Sequence, residues 1–295
     1  MKTRLIVNPV SGRDQAAAEL PAMNEQLRGA FPDLDIVMTT GEGDAERAAR
    51  QATADGYGRL LVAGGDGTLN ETLNGVDAAG GLDRVVVGLV PIGTGNDFAG
   101  TLGVPDGIEA AIEVVRAGRE VHVDVGTLNG RLFVNASAGG FIAEVSDALS
   151  PSLKTLAGKF AYLIAGAGVF FDFTPPEASI LVGRAAVPVR RSVQLFVVGN
   201  GRTIGGGRAV TPHARLDDGL LDVCVVQAAS TPELVALLRR MSDGQHLDDP
   251  LVTYEQAATA RFAFDRVIKV NTDGEVLETD RCEYGIRPRA ARFLA

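Results

Sequence analysis

Gly64-Gly65-Asp66-Gly67-Thr68-Leu69-Asn70-Glu71 puts an acid inside a glycine cluster, between an apolar run and a helical stretch. Glycines let a backbone adopt positive φ and come close to a phosphate. The helix start that follows offers unpaired N–H groups and a positive dipole end. Thr68 can cap that helix and also touch a phosphate. An acid in an anion-binding turn is unfavourable unless a metal ion or a transferred proton uses it. Asp66 therefore favours a phosphate-binding loop, and the plainer reading is a tight turn with a capping acid. Pro91-Ile92-Gly93-Thr94-Gly95-Asn96-Asp97-Phe98 repeats the arrangement: small residues, a hydroxyl, then an acid. Asn8-Pro9-Val10-Ser11-Gly12-Arg13 adds a further hydroxyl, a flexible glycine and a cation. Neither GxxxxGK[ST] nor GxGxxG occurs, which disfavours P-loop, protein-kinase and dinucleotide-fold readings.

Each of these loops follows a short apolar strand-like run. Such runs lie at residues 4–7, 34–39, 59–63 and 85–91, and alternate with helical stretches at 16–27, 44–55, 68–76 and 107–117. Continuously apolar strands alternating with helices predict a buried parallel sheet covered on both faces. Loops at the C-terminal ends of such strands face one crevice, where open α/β sheets bind ligands. The pattern changes near residue 121. Strands then follow one another at 121–128, 131–137, 179–181, 186–198, 220–226, 261–270 and 276–278. Asn129-Gly130 and Asp273-Gly274 are hairpin signals between them. Helical stretches interrupt at 151–171 and 231–242. The fold expected is α/β plus mainly β, with a parallel-sheet α/β domain at residues 1–122 and a β-sandwich-like domain at 123–285.

The 295 residues carry 28 Lys+Arg against 37 Asp+Glu, a net charge of −9. That balance argues against nucleic acid as a partner, because phosphate backbones need a basic footprint. Cys224 and Cys282 lie far apart without a CxxC, and His122, His213 and His246 are scattered. A zinc site or disulfide framework is not expected, and both cysteines read as inert core residues. The apolar stretch at the N-terminus is too short for a signal peptide and ends at Asn8-Pro9. The longest apolar segment, 160–173, is shorter than the roughly 20 residues of a spanning helix. It reads as a core helix, or as a lipid-facing wall beside a substrate mouth. The expected location is the cytoplasm, with visits to the inner membrane surface.

The motifs NPVSGR (8–13), GGDGTLNE (64–71), GTGNDFA (93–99), VGNGRTIGGG (198–207), LDDGLLDV (216–223) and TDGE (272–275) run in order along nearly the whole chain. In this the sequence resembles the diacylglycerol kinase catalytic-domain family, which includes bacterial lipid kinases and sphingosine kinases. GGDGT alone is shared with NAD kinases and phosphofructokinase-like folds; the set together is specific.

The resemblance implies a phosphofructokinase-like first domain that carries ATP, a β-rich second domain, and a cleft between them. It also implies that residues 286–295 return to the first domain. By position, Asn8, Pro9, Ser11, Gly12, Arg13, Thr40, Gly64, Gly65, Asp66, Gly67, Thr68, Asn70, Gly93, Thr94 and Asn96 would surround the nucleotide. Asp66 and Asp97 would organise Mg²⁺, and Glu275 would be the general base for a lipid hydroxyl. Asp218, with the carbonyls of Arg215 and Leu220, would hold a structural Mg²⁺. On the residues alone, 273–275 reads as an exposed hairpin turn and 216–222 as a polar turn; only the resemblance lifts them above that. Arg13 stands where the family often has Lys. Lys154, Lys159, Arg202 and Arg208 are further candidate cations.

The function so implied is ATP- and Mg-dependent phosphorylation of a lipid alcohol, with diacylglycerol as the first substrate and sphingoid bases, phosphatidylglycerol or an isoprenoid alcohol as alternatives, with peripheral membrane contact and a homodimer. The alternatives are a soluble small-molecule kinase of the NAD kinase type and a non-catalytic nucleotide-binding regulatory module.

Overall fold

In the computed structural model, which describes residues 1–12, 14–148 and 173–295, the first apolar runs pair side by side in parallel. β1 (Thr3–Val7) lies between β2 (Leu34–Met38) and β3 (Arg59–Gly64), and β3 pairs onward with β4 (Val86–Pro91). The connections are α1 (Asp14–Ala30), α2 (Asp44–Ala54), α3 (Asp66–Ala78), α4 (Asp97–Leu102) and α5 (Ile108–Ala117). The centres of β1, β3 and β4 are continuously apolar because helices cover both faces. Ile6, Leu60, Val62 and Val87 pack with Ala49 of α2 and with Leu73 and Val76 of α3. Leu5, Val7 and Leu61 pack with Met23 and Leu27 of α1 and with Ile112 and Val115 of α5. Alanines on α2 and Gly75 on α3 let these two helices cross closely. A Cβ at Gly75 would lie 2.2 Å from the Glu46 carbonyl oxygen.

The second part of the chain is β-rich. Its elements are β5 (Glu120–Leu128), β6 (Arg131–Phe133), β7 (Ala136–Gly140), α6 (Phe141–Ala148), β8 (Glu177–Val182) and β9 (Val189–Gly199). They continue with β10 (Leu221–Gln227), α7 (Thr231–Ser242), β11 (Val252–Ala257), β12 (Thr259–Thr272) and β13 (Glu275–Leu294). β7, β9, β8 and β12 pair in a ring, so the sandwich-like layers close into a small barrel. A register shift between Ala263 and Ile268 lets β12 pair with β8 at one end and β7 at the other. Aromatic side chains fill the ring: Phe196 stacks on Phe262 at 4.7 Å and on Phe264 at 5.6 Å.

β13 joins the two parts. It pairs antiparallel with β12 and then with β5, and Arg292 and Phe293 pair in parallel with Val86 and Val87 of β4. One thirteen-stranded sheet therefore runs through the described chain. The Asn129-Gly130 and Asp273-Gly274 turns have positive φ at both residues (49° and 87°, 48° and 96°), as two-residue hairpins require.

The strand expected over 131–137 is broken. β6 stops at Phe133 and β7 begins at Ala136, because the N–H groups between them turn away onto a buried carboxylate. Asp97 and Phe98, read as the end of the second loop, instead begin the short helix α4. β11 and the length of β13 were not legible as strands. The helix expected at 151–171 and most of the 160–173 segment lie outside the described residues. Phe173 is described, and its ring packs edge-on against Phe141 at 5.8 Å. The α7 expectation holds residue for residue, started by a capping box of Ser230 and Glu233.

Candidate active site

The parallel strands end on one edge of the sheet, and their loops meet there. After β1, the Asn8 carbonyl accepts the Ser11 N–H at 3.2 Å, and its side-chain oxygen accepts the Val10 N–H at 3.2 Å. The Asn8 amide donates to the Thr68 hydroxyl at 3.1 Å. The Pro9–Gly12 turn is thus tied to the loop after β3, with Gly12 at φ 83°. Arg13 lies outside the described residues. Thr68 does not cap α3, which starts two residues earlier at Asp66. It is buried beneath Gly64, where a Cβ would lie 2.6 Å from the Thr68 Cβ.

Gly65 and Gly93 bring the second and third loops into contact. A Cβ on Gly93 would sit 2.5 Å from the Gly65 Cα, so no side chain fits between them. Asn96 is left-handed (φ 51°) and donates its amide to the Gly93 carbonyl at 2.9 Å. Its side-chain oxygen is buried there without a partner. Thr94 and Gly95 are exposed above this contact. Thr40 follows β2, and both its N–H and its hydroxyl donate to Asp44 at 2.7 Å. Those bonds bring the Asp44 carboxyl down to about 2.

The acids converge on the same place. Asp66 accepts the N–H groups of Asp97 and Phe98 at 3.2 and 3.1 Å, across the start of α4. Burial pushes its pKa up, and the nearby charge of Asp97 adds to this against the pull of the N–H groups. Asp97 is buried and accepts the N–H groups of Gly206 and Gly207 at 2.9 and 2.7 Å. The glycines that close VGNGRTIGGG therefore wrap a carboxylate of the first part of the chain. A Cβ on Gly95 would lie 3.3 Å from an Asp97 oxygen and 3.4 Å from an Asp66 oxygen, so the two carboxylates flank one glycine.

In the hairpin turn at 273–274, Gly274 is exposed but Asp273 is not. Asp273 is 6% exposed, and its carboxylate accepts the N–H groups of Val134 (2.6 Å), Asn135 (3.2 Å) and Ala136 (2.8 Å). Burial pushes its pKa up to about 6. The Asn70 amide also donates to it, at 3.1 Å. Asn70 is thus tied to the seam between the two parts. Asn74, one turn on, accepts the Leu132 N–H at 3.0 Å and donates to the Leu132 carbonyl at 3.1 Å. Two asparagines four apart on a helix face with Leu69 and Leu73 were the missed signal, since buried amides demand partners. Asp273→Asn keeps the shape but turns a donor toward N–H donors. It should cost about 1–3 kcal/mol of stability, read by denaturant unfolding.

Glu275 follows the same turn, which abuts Gly67: a Cβ on Gly274 would lie 3.9 Å from the Gly67 Cα. Its carboxylate, 29% exposed, takes a forked pair from Arg131 at 2.8 and 2.9 Å, and Arg131 also reaches Glu46 of α2 at 2.8 Å. Glu71, unassigned from sequence, caps α2 by accepting the N–H groups of Gly43 and Ala45, each at 3.0 Å.

At the 215–220 turn, exposed Asp218 accepts the Leu220 N–H at 3.0 Å, and the Arg215 side chain reaches Asp217 at 3.4 Å. Buried Asp124 anchors the turn, accepting the N–H groups of Gly219 and Arg289, each at 2.6 Å. Its signal was a lone acid in the otherwise apolar VDV of β5. Among the described residues no three His, Cys, Asp or Glu side chains gather as a metal cluster. A cation at this turn would depend on Asp218 and main-chain carbonyls. Of the other candidate cations, Arg202 donates to the Ala214 carbonyl and Arg208 to the Gly205 carbonyl. Lys154 and Lys159 lie outside the described residues. Cys224 and Cys282 are buried free thiols, pushed up to about 12 by burial.

Residues 2–128 match the diacylglycerol kinase catalytic domain family. Residues 135–295 match the YegS C-terminal NAD kinase beta sandwich-like domain family. A diacylglycerol kinase of Staphylococcus carnosus (strain TM300) is 35% identical over 93% of this chain and 88% of its own. The chain belongs to the diacylglycerol kinase family. A second member, a diacylglycerol kinase of Staphylococcus aureus (strain MRSA252), is 34% identical over 93% of this chain and 86% of its own. A crystal structure from Bacillus anthracis str. Sterne, 30% identical, covers 99% of this chain and 94% of its own at TM-score 0.84. A crystal structure of a diacylglycerol kinase from the same strain, 27% identical, covers 99% and 96% at TM-score 0.74. The α/β and β-rich parts expected from sequence are therefore those of this family, with the β layers closed into a barrel.

Proposed function

We propose that this chain transfers the γ-phosphoryl group of ATP to the free hydroxyl of diacylglycerol, giving phosphatidic acid and ADP. One observation carries the reading. The glycine loops after β1, β3 and β4, the acids Asp66 and Asp97, and the hairpin bearing Glu275 all meet at one end of the parallel sheet. On this reading residues 1–122 with 286–295 hold the nucleotide, and residues 123–285 hold the lipid.

On this reading Asn8, Pro9, Ser11, Gly12, Gly64, Gly65, Gly67, Thr68, Gly93, Thr94 and Asn96 serve the phosphate side with Thr40 beside them, and Arg13, the residue that follows Gly12 in the sequence, is proposed as a cation for the phosphates. The bare Gly65–Gly93 contact lets main-chain N–H groups approach phosphate oxygens. The unpartnered Asn96 oxygen is a further acceptor beside it. Asp66 and Asp97 suit a hard divalent cation. Both are oxygen donors, they flank one glycine, and each oxygen that takes an N–H keeps a lone pair. When bound, Mg²⁺ supplies charge neutralisation for the phosphates. Arg215 and Leu220, through their carbonyls, and Asp218 would hold a second, structural Mg²⁺.

Glu275 accepts the hydroxyl proton as the lipid oxygen bonds to the γ-phosphorus. The bond to the β–γ bridging oxygen breaks, and ADP leaves with that oxygen. Diacylglycerol resides in a bilayer, so the enzyme works as a peripheral protein at the cytoplasmic membrane face. Among the described residues no helix is long and apolar enough to cross a membrane. A homodimer rests on the family resemblance alone. Initial rates on diacylglycerol in mixed micelles, set against NAD without detergent, test the substrate class. Phosphorylation of diacylglycerol alone is expected, and phosphorylation of NAD alone would reverse the assignment.

A further inference from the structure

We infer that Arg131 is a positioning residue for Glu275, holding its carboxylate in one orientation while bracing itself on Glu46 across the seam. This rests on the reading of Glu275 as the general base. Arg131 is carried by β6, whose backbone has little freedom. The Asn129-Gly130 hairpin leads into it, Asn74 grips Leu132 from both sides, and Asp273 holds the Val134 N–H. The guanidinium therefore projects from a fixed point. Its Nε and one terminal nitrogen bond the two Glu275 oxygens at 2.8 and 2.9 Å, and that terminal nitrogen also bonds Glu46 at 2.8 Å.

One side chain so ties β6, the start of β13 and α2 together. A forked pair fixes both carboxylate oxygens, and hence the side-chain rotamer, which a single point charge cannot do. Each Glu275 oxygen keeps a second lone pair for a substrate proton. The ion pair is partly exposed: the Arg131 side chain is 45% exposed. Pairs of that kind add little to stability. The arrangement therefore points to geometry rather than to holding the fold. Arg131 touches no reacting atom and is not itself catalytic.

The test is steady-state kinetics on diacylglycerol micelles for Arg131→Met, Arg131→Lys, Glu46→Gln and Glu275→Gln, with thermal unfolding of each. Arg131→Met should lower kcat by about 10- to 100-fold, the scale for a misplaced catalytic group. Its KM for ATP and its unfolding temperature should stay at the wild-type values. Arg131→Lys should recover part of the loss, and Glu46→Gln should show a smaller drop in kcat. Wild-type kcat in Arg131→Met beside an inactive Glu275→Gln would overturn the inference and leave the base in place. A matching loss of ATP binding or of unfolding temperature in Arg131→Met would overturn it in favour of a structural role. An active Glu275→Gln would remove the base, and the inference with it.

Discussion

Asp66→Ala is expected to lower turnover by about 10³-fold or more while the protein still folds. Asp66 sits where the β3 loop, the start of α4 and Asp97 meet. Its raised pKa says that the fold bears a cost to keep the charge there, in a partly buried site beside a second acid. Two acids at the mouth of a phosphate-binding crevice are unfavourable for an empty protein and useful to one that must hold a divalent cation against phosphate oxygens. Removing Asp66 frees the Asp97 and Phe98 N–H groups at a helix start, where water can replace the carboxylate, so the loss of stability should be small. Label transfer from ATP to lipid, with circular dichroism as the check on folding, measures both. Wild-type activity in this variant would remove Asp66 from the mechanism.

Glu275→Gln should lower kcat by about 10²-fold or more, the usual scale for losing a general base. Glutamine keeps the size of the side chain and one acceptor for Arg131, so the hairpin should stay in place. ATP affinity should hardly move, because the proposed nucleotide contacts come from the loops after the parallel strands. Separate kcat and ATP-binding measurements check this. A large loss of ATP binding would instead make Glu275 a structural strut between β13 and Arg131.

The parts of this arrangement that were legible in the sequence are those whose cause is local. Glycine clusters after apolar runs mark the loops. Asn-Gly and Asp-Gly mark the hairpins, and the capping box at Ser230 marks the start of α7. The parts that were not legible depend on partners far away in the chain. Asp273 reads as a solvated turn residue until Asn70, 203 positions away, and the N–H groups of Val134 to Ala136 are brought to it. The same carboxylate breaks the strand expected over 131–137, because it takes the N–H groups that a ladder would have used. Asn70 looks like part of a phosphate loop, yet it lies one turn into α3 and faces the seam. β13 carries charged residues along much of its length, which hides a strand that serves both parts of the chain. The barrel depends on one register shift in β12, and no apolar pattern announces it.

Phosphoryl transfer from ATP to a lipid hydroxyl, with Glu275 as the base, can be observed directly. The most direct test incubates the purified protein with labelled ATP, Mg²⁺ and diacylglycerol in mixed micelles, beside Glu275→Gln. Labelled phosphatidic acid is expected from the wild type and at least about 10²-fold less from the variant. A wild type that binds ATP and labels no lipid, or a variant that labels diacylglycerol as fast as the wild type, would contradict it.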